Sequence, residues 1–170
     1  MPPPAERSVY VLAASIALMI LFIGWRPIPA VVWSLNPIPH PVFNQLIWVA
    51  FWSGWAMVLI STFLINHFEL FGLQQAWLNA RGKQAEPPKF HQPFFYRWVR
   101  HPLYLGFFIA FWATPEMTAG HLLLAVGVSI YMLIAIRYEE RDLVGLFGKD
   151  YEDYRANVGM LVPRFMRRRT

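Results

Sequence analysis

The chain has 170 residues, 56% hydrophobic and only 15% charged, against roughly 45–50% and about 25% in soluble domains; this argues for a membrane protein. It has no cysteine, which excludes disulfides, thiolate nucleophiles and cysteine-ligated metal sites. The net charge of +5 sits beside apolar runs and in the tail RFMRRRT, a placement that suits anionic lipid headgroups and no nucleic acid.

The first apolar run, SVYVLAASIALMILFIGW (residues 8–25), is uncharged and about 27 Å long at ~1.5 Å per residue, so it just reaches across a bilayer core. The preceding MPPPAE lacks the basic region of a secretory signal, so a retained helix is expected. Residues 26–41 carry Pro27, Pro29, Pro37, Pro39 and Pro41, which forbid a continuous helix. Residues 42–65 form the second expected span, without a formal charge; Asn44 and Gln45 are expected to cap it. In residues 66–82, Phe68, Phe71, Leu73, Ala76 and Trp77 suit an interfacial stripe, and 83–93 reads as a loop.

Two further spans read as a hairpin, from Leu103 to Pro115 and from Thr118 to Ile136, the first short enough to cross only in part. From 137 to 158, Leu143, Leu146, Phe147, Tyr151, Tyr154 and Val158 recur at three and four. That spacing predicts one or two amphipathic helices with Gly148 as a break and the tyrosines as packing residues. The expected fold is therefore all-α: one polytopic membrane domain over 1–170 with about four spans, a C-terminal hairpin and a cytoplasmic amphipathic C-terminal helix. With four spans every Lys and Arg but Arg26 falls on one side. The positive-inside rule makes that side, with both termini, cytoplasmic, in the inner membrane.

The hairpin returns Glu139 and Glu140 to the level of RHPLYLG, residues 100–106. His101 followed by Pro102 fits a helix start whose first-turn amides can receive an acceptor atom. The two glutamates can accept from an ammonium or from ribose hydroxyls, and Tyr96, Trp98 and Tyr104 can stack on a base or face a cation. On the residues alone, other readings stay open. Arg97 and Arg100 equally suit snorkelling anchors, Gly106 close helix packing, and the glutamates a solvated run. His40, His67 and His121 lack a metal-ligand constellation, so no metal is expected.

The combination RHPLYLG, then EERDL, then GKDYEDYRANVGMLVPR resembles the C-terminal signature of the isoprenylcysteine carboxyl methyltransferase superfamily, integral membrane enzymes that use S-adenosylmethionine. Residues 94–170 would be the cofactor-binding region. Over nearly the whole chain the likeness is strongest to the bacterial branch that methylates methanethiol to dimethyl sulfide. Members of that branch usually carry further N-terminal spans, so a truncated or minimal form is expected. The resemblance implies cofactor contacts at Tyr96, Arg100, His101, Pro102, Leu103, Tyr104, Gly106, Glu139 and Glu140, and, less directly, at Lys89 to His91. It also leaves His101, Tyr104 or Glu140 to take a proton, if any dedicated base exists. Prenylcysteine enzymes place a substrate-holding arginine where this chain has Ala135; Arg137 is two residues off. A small thiol acceptor needs no such arginine. A phospholipid or isoprenoid acceptor, and a non-catalytic membrane subunit similar to NnrU-like members, are the alternatives.

Overall fold

The computed structural model describes residues 3–35, 41–64, 81 and 90–164. Among them, helix α1 is Pro3–Gly24, strand β1 Val31–Ser34 and helix α2 Pro41–Leu64. A short 3₁₀ turn at Phe94–Arg97 leads to α3, Pro102–Trp112; then come β2, Glu116–Thr118, α4, Ala119–Phe147, and α5, Lys149–Asn157. The interfacial stripe of 66–82, Lys89, His40, His67 and the arginine tail lie outside the described residues. The chain divides into two compact units, one of residues 1–27 and 62–89, the other of 28–61 and 90–170. Of the first unit, α1 is described: a helix that exposes Ile20, Phe22 and Ile23.

The second unit is built on three helices. Small residues let them approach closely. A Cβ added at Gly54 would lie 2.7 Å from the Ala110 nitrogen, and one at Gly106 would lie 2.8 Å from the Gly54 carbonyl. Glycine at both positions therefore sets how near α2 comes to α3. Trp55 closes the same contact edge-on to Phe107 at 5.9 Å and Phe111 at 6.2 Å. Between α3 and α4, Trp112 Nε1 donates to Ser129 Oγ at 3.0 Å, and the His121 ring meets the Phe111 carbonyl at 2.9 Å. Ala125, Ser129, Met132 and Ile136 form the buried stripe of α4, spaced as one helical face requires.

Val42–Leu64 and Ala119–Phe147 are long and apolar enough to cross a membrane, and most of their surface is not buried within the chain. Val9–Gly24 and Pro102–Trp112 are shorter apolar helices. The expected four spans thus reduce to two candidates among the described residues.

A two-stranded ribbon, not foreseen in the sequence, joins the proline-rich connection to the hairpin turn. β1 and β2 pair antiparallel, Val31 with Thr118 and Ser34 with Glu116. Further bonds extend the ribbon: Leu35 N–H to the Pro115 carbonyl at 3.0 Å and Ala119 N–H to the Ala30 carbonyl at 2.7 Å. The ribbon explains how unequal arms return to one level. Helix α3 has 11 residues, about 16 Å at ~1.5 Å per residue. Ala113–Pro115 then run non-helical to the strand, adding roughly 10 Å at ~3.3 Å per residue. From Ala119 to Glu140, α4 covers about 31 Å at the same helical rise.

Helix α4 starts at Thr118, whose side chain accepts from His121 N–H at 3.2 Å, as an N-cap should. It does not stop at Ile136, where a separate polar helix was expected, but continues to Phe147. Residues 137–144 contain neither Gly nor Pro, so the change from apolar to charged alters the solvent, not the backbone. The break comes at Gly148, whose φ of +55° favours glycine. Asn44 lies inside α2, which begins at Pro41, so it does not cap that helix.

Candidate active site

The site lies where α3 begins and α4 nears its end. Pro102 occupies the first turn of α3, and His101, at the N-cap, makes no side-chain cap hydrogen bond. Just before them, Arg100 is buried, at 8% exposure. Its Nε and Nη2 donate to Glu140 Oε1, each at 2.7 Å. Its Nη1 donates to the Arg155 carbonyl at 3.0 Å and to the Val158 carbonyl. Those carbonyls belong to the end of α5, where unpaired oxygens and the helix dipole favour a cation. Arg100 therefore joins three segments, and little donor capacity remains for a ligand.

The chain beyond α5 turns back along this edge. Arg100 N–H donates to the Gly159 carbonyl at 2.8 Å and His101 N–H to the Met160 carbonyl at 3.1 Å. A Cβ at Gly159 would collide with the Val162 carbonyl, so this turn needs the glycine.

His101 faces both carboxylates. Its Nε2 is 3.2 Å from Glu140 Oε1 and its Nδ1 3.8 Å from Glu139 Oε2. An ionised carboxylate only accepts, so the Glu140 contact places a hydrogen on Nε2, while Nδ1 faces Glu139. The two glutamates differ sharply in exposure: the Glu140 side chain is 13% exposed and that of Glu139 45%. The Tyr104 ring stands edge-on to His101 at 5.7 Å.

Helix α5 closes the cluster with two tyrosines. The Tyr154 hydroxyl donates to the Tyr96 carbonyl at 2.6 Å. Tyr151 is 2% exposed, with its ring against Tyr154 and Phe90, and its hydroxyl has no hydrogen-bond partner. Burial, reinforced by the Glu139 carboxylate, pushes the Tyr96 phenol well above its usual range. Burial pushes Tyr154 up to about 12, Arg100 opposing and Glu140 adding. Burial and then Glu140 raise Tyr151 further, against the pull of Arg100. A cavity of about 370 Å³, walled by Phe90, Gln92, Asp150, Asp153, Tyr154, Asn157 and Val158, adjoins the cluster.

Of the residues expected at the site, Arg100 and His101 both meet Glu140, and His101 also meets Glu139, with Tyr104 on the histidine ring. Tyr96 meets α5 through its carbonyl and feels the charge of Glu139. Pro102 and Leu103 form the start of α3, buried and half-buried. Gly106 lies against α2, at Gly54 and Val58. Ala135 is half-buried, and Arg137 and His91 are exposed. Tyr151 and Tyr154, read from the sequence as packing residues, are part of the cluster; their three-residue spacing was the available signal. The carbonyl partners of Arg100 carried no side-chain signal at all.

A family model described as phospholipid methyltransferase matches residues 46–150. The chain is 54% identical to the methanethiol S-methyltransferase of Mycobacterium tuberculosis over 95% of its own length and 65% of that protein's. It is 52% identical to methanethiol S-methyltransferase 1 of Bradyrhizobium diazoefficiens, over 94% of this chain and 55% of that one. A more distant likeness, 24% identity over 81% of this chain and 50% of the other, is to Nurim of Xenopus laevis. No solved structure matches. The chain thus spans about 55–65% of the length of those methyltransferase relatives. Residues 46–150 take in most of α2, the hairpin and, among the described residues, every side chain that binds Arg100 or His101, and on that match the chain belongs to the phospholipid methyltransferase family.

Proposed function

We propose that the chain carries the site of a membrane methyltransferase that uses S-adenosylmethionine and methylates a small thiol, with methanethiol the acceptor and dimethyl sulfide the product. The observation that carries the reading is the grouping of His101, Glu139 and Glu140 at the uncapped start of α3. The donor set fits such a cofactor. The exposed Glu139 carboxylate can accept from an ammonium or ribose hydroxyls, the first turn of α3 offers amide donors, and Tyr96 and Tyr104 offer ring faces. When bound, S-adenosylmethionine supplies a methyl group already activated on a sulfonium, so no metal is called for.

The thiol must lose its proton, because the thiolate is the nucleophile. His101 is suited to accept it. Glu140 fixes Nε2 as the donor side, leaving the Nδ1 lone pair to take the proton, and the Glu139 carboxylate 3.8 Å away then stabilises the imidazolium. Glu140 is the weaker candidate base, because Arg100 already engages the oxygen it presents. Tyr104 serves to orient the histidine ring. The remaining work is alignment and the exclusion of water. The basic residues flanking the apolar helices support a cytoplasmic site, which a lipophilic acceptor can reach through the bilayer.

A second acceptor class, a phospholipid amine, is favoured by the description of the matched family. Incubation of the protein in liposomes with labelled S-adenosylmethionine and methanethiol separates the readings. Label in dimethyl sulfide supports the thiol; label in lipid alone supports the phospholipid. Absence of cofactor binding by folded protein would overturn both and turn the assignment to a non-catalytic membrane subunit.

A further inference from the structure

The Tyr151 hydroxyl has no place in the mechanism above. Among the described residues it is one of three buried side-chain polar atoms without a hydrogen-bond partner, with Asn44 Oδ1 and Ser61 Oγ, and it is the one near the charge cluster. A buried hydroxyl without a partner destabilises the fold, and buried polar groups are nearly always satisfied. The residue is otherwise well used: its ring packs on Phe90 at 5.9 Å and on Tyr154 at 5.7 Å, contacts that phenylalanine would make equally. The hydroxyl is therefore an extra that folding does not require.

Its surroundings point to a ligand. The charges of Glu140, Arg100 and Glu139 all act on it. Every contact that Glu140 makes among the described residues runs through Oε1, leaving its second oxygen for another donor. Phe90, on which Tyr151 packs, also walls the open cavity beside α5. A polar molecule in the His101–Glu139 site would bring acceptor oxygens toward this hydroxyl. The neighbouring Tyr154 is the natural control, since its hydroxyl already has a partner in the Tyr96 carbonyl.

We propose that the Tyr151 hydroxyl is a cofactor-binding donor, satisfied when an acceptor oxygen of the bound methyl donor reaches it. This rests on the methyltransferase reading and adds a contact to the same site from α5. Burial keeps the phenol protonated, as a donor must be.

The test measures S-adenosylmethionine affinity and ligand-free thermal stability of the full chain in detergent, for the wild type, Tyr151→Phe and Tyr154→Phe. Tyr151→Phe should bind about 5- to 10-fold more weakly, the range expected for one hydrogen bond of about 1–1.4 kcal/mol. Its ligand-free stability should be unchanged or higher. Tyr154→Phe should unfold earlier without cofactor. Wild-type binding with equal affinity in Tyr151→Phe would overturn the inference and leave the methyltransferase reading standing; a bound water would then account for the hydroxyl. Loss of ligand-free stability in Tyr151→Phe would also overturn it, by showing a partner within the protein. Failure of the folded wild type to bind would overturn the reading and the inference together.

Discussion

Glu139 and Glu140 are adjacent and chemically identical, yet the structure gives them opposite burdens, and replacing each by glutamine separates them. Glu140 Oε1 receives two donors from Arg100 at 2.7 Å and one from His101 at 3.2 Å. The partners' side chains are 7% and 3% exposed. Removing one member of a buried ion pair leaves the other charge uncompensated, at about 3–5 kcal/mol. Glutamine keeps one acceptor oxygen, so Glu140→Gln should lie near the lower end, about 3 kcal/mol. Glu139 is 45% exposed and has one contact, at 3.8 Å. The carboxylate keeps much of its hydration and the contact is long, so the pair should contribute no more than a surface pair, about 0–1 kcal/mol, and Glu139→Gln should fold almost as the wild type does. Cofactor affinity should show the contrast from the other side, with Glu139→Gln weakened while still fully folded. Denaturant unfolding in detergent, followed by titration of the folded fraction with S-adenosylmethionine, reads both. If the two variants unfolded within about 1 kcal/mol of each other, less than the loss of a buried pair would allow, the assignment of Glu140 to structure would be wrong.

Two other outcomes follow from the packing and the tyrosines. Gly106→Ala sets a methyl 2.8 Å from the Gly54 carbonyl and 2.9 Å from Val58 Cγ2. It should cost about 1–3 kcal/mol as overpacking, read as a lower unfolding midpoint, with Gly54→Ala less than additive because both open the same contact. Tyr154 is raised to about 12 from 10.0, so the folded state keeps a proton that the unfolded chain loses first. Its contribution is complete below about pH 10 and is lost as the pH rises toward about 12. Unfolding midpoints measured across pH 9–12 should fall more steeply in the wild type than in Tyr154→Phe.

The parts of the fold legible in the sequence were those set by local rules. His101-Pro102 announced the start of α3, Gly148 the end of α4, and its apolar run the length of α2, because each depends on a backbone preference or on periodicity. The meeting of RHPLYLG with the glutamates was legible too, since a hairpin fixes it by geometry. Bonds made through backbone were not. The ribbon hides among prolines because its partner strand is three residues long and lies in what reads as a turn. Arg100 could be taken for a ligand contact because two of its partners are main-chain oxygens, which any residue supplies. The unequal roles of Glu139 and Glu140 follow from which of two neighbours on a helix turns inward. The sequence leaves that open, because Arg137 and Arg141 flank the pair.

The ribbon and the Arg100 bracket hold α4 at two separated points, one beside Thr118 and the other at Glu140. A rod pinned twice acts as a gauge of residue number. Each inserted or deleted residue between the pins would move Glu140 by about 1.5 Å along the axis and about 100° around it, carrying its carboxylate off both Arg100 and His101. Substitution along this stretch is limited by packing and by the bonds of His121 and Ser129 to α3, but its length is not free to drift. Any change in count would have to be matched across the non-helical step at Ala113–Pro115, which joins α3 to the ribbon.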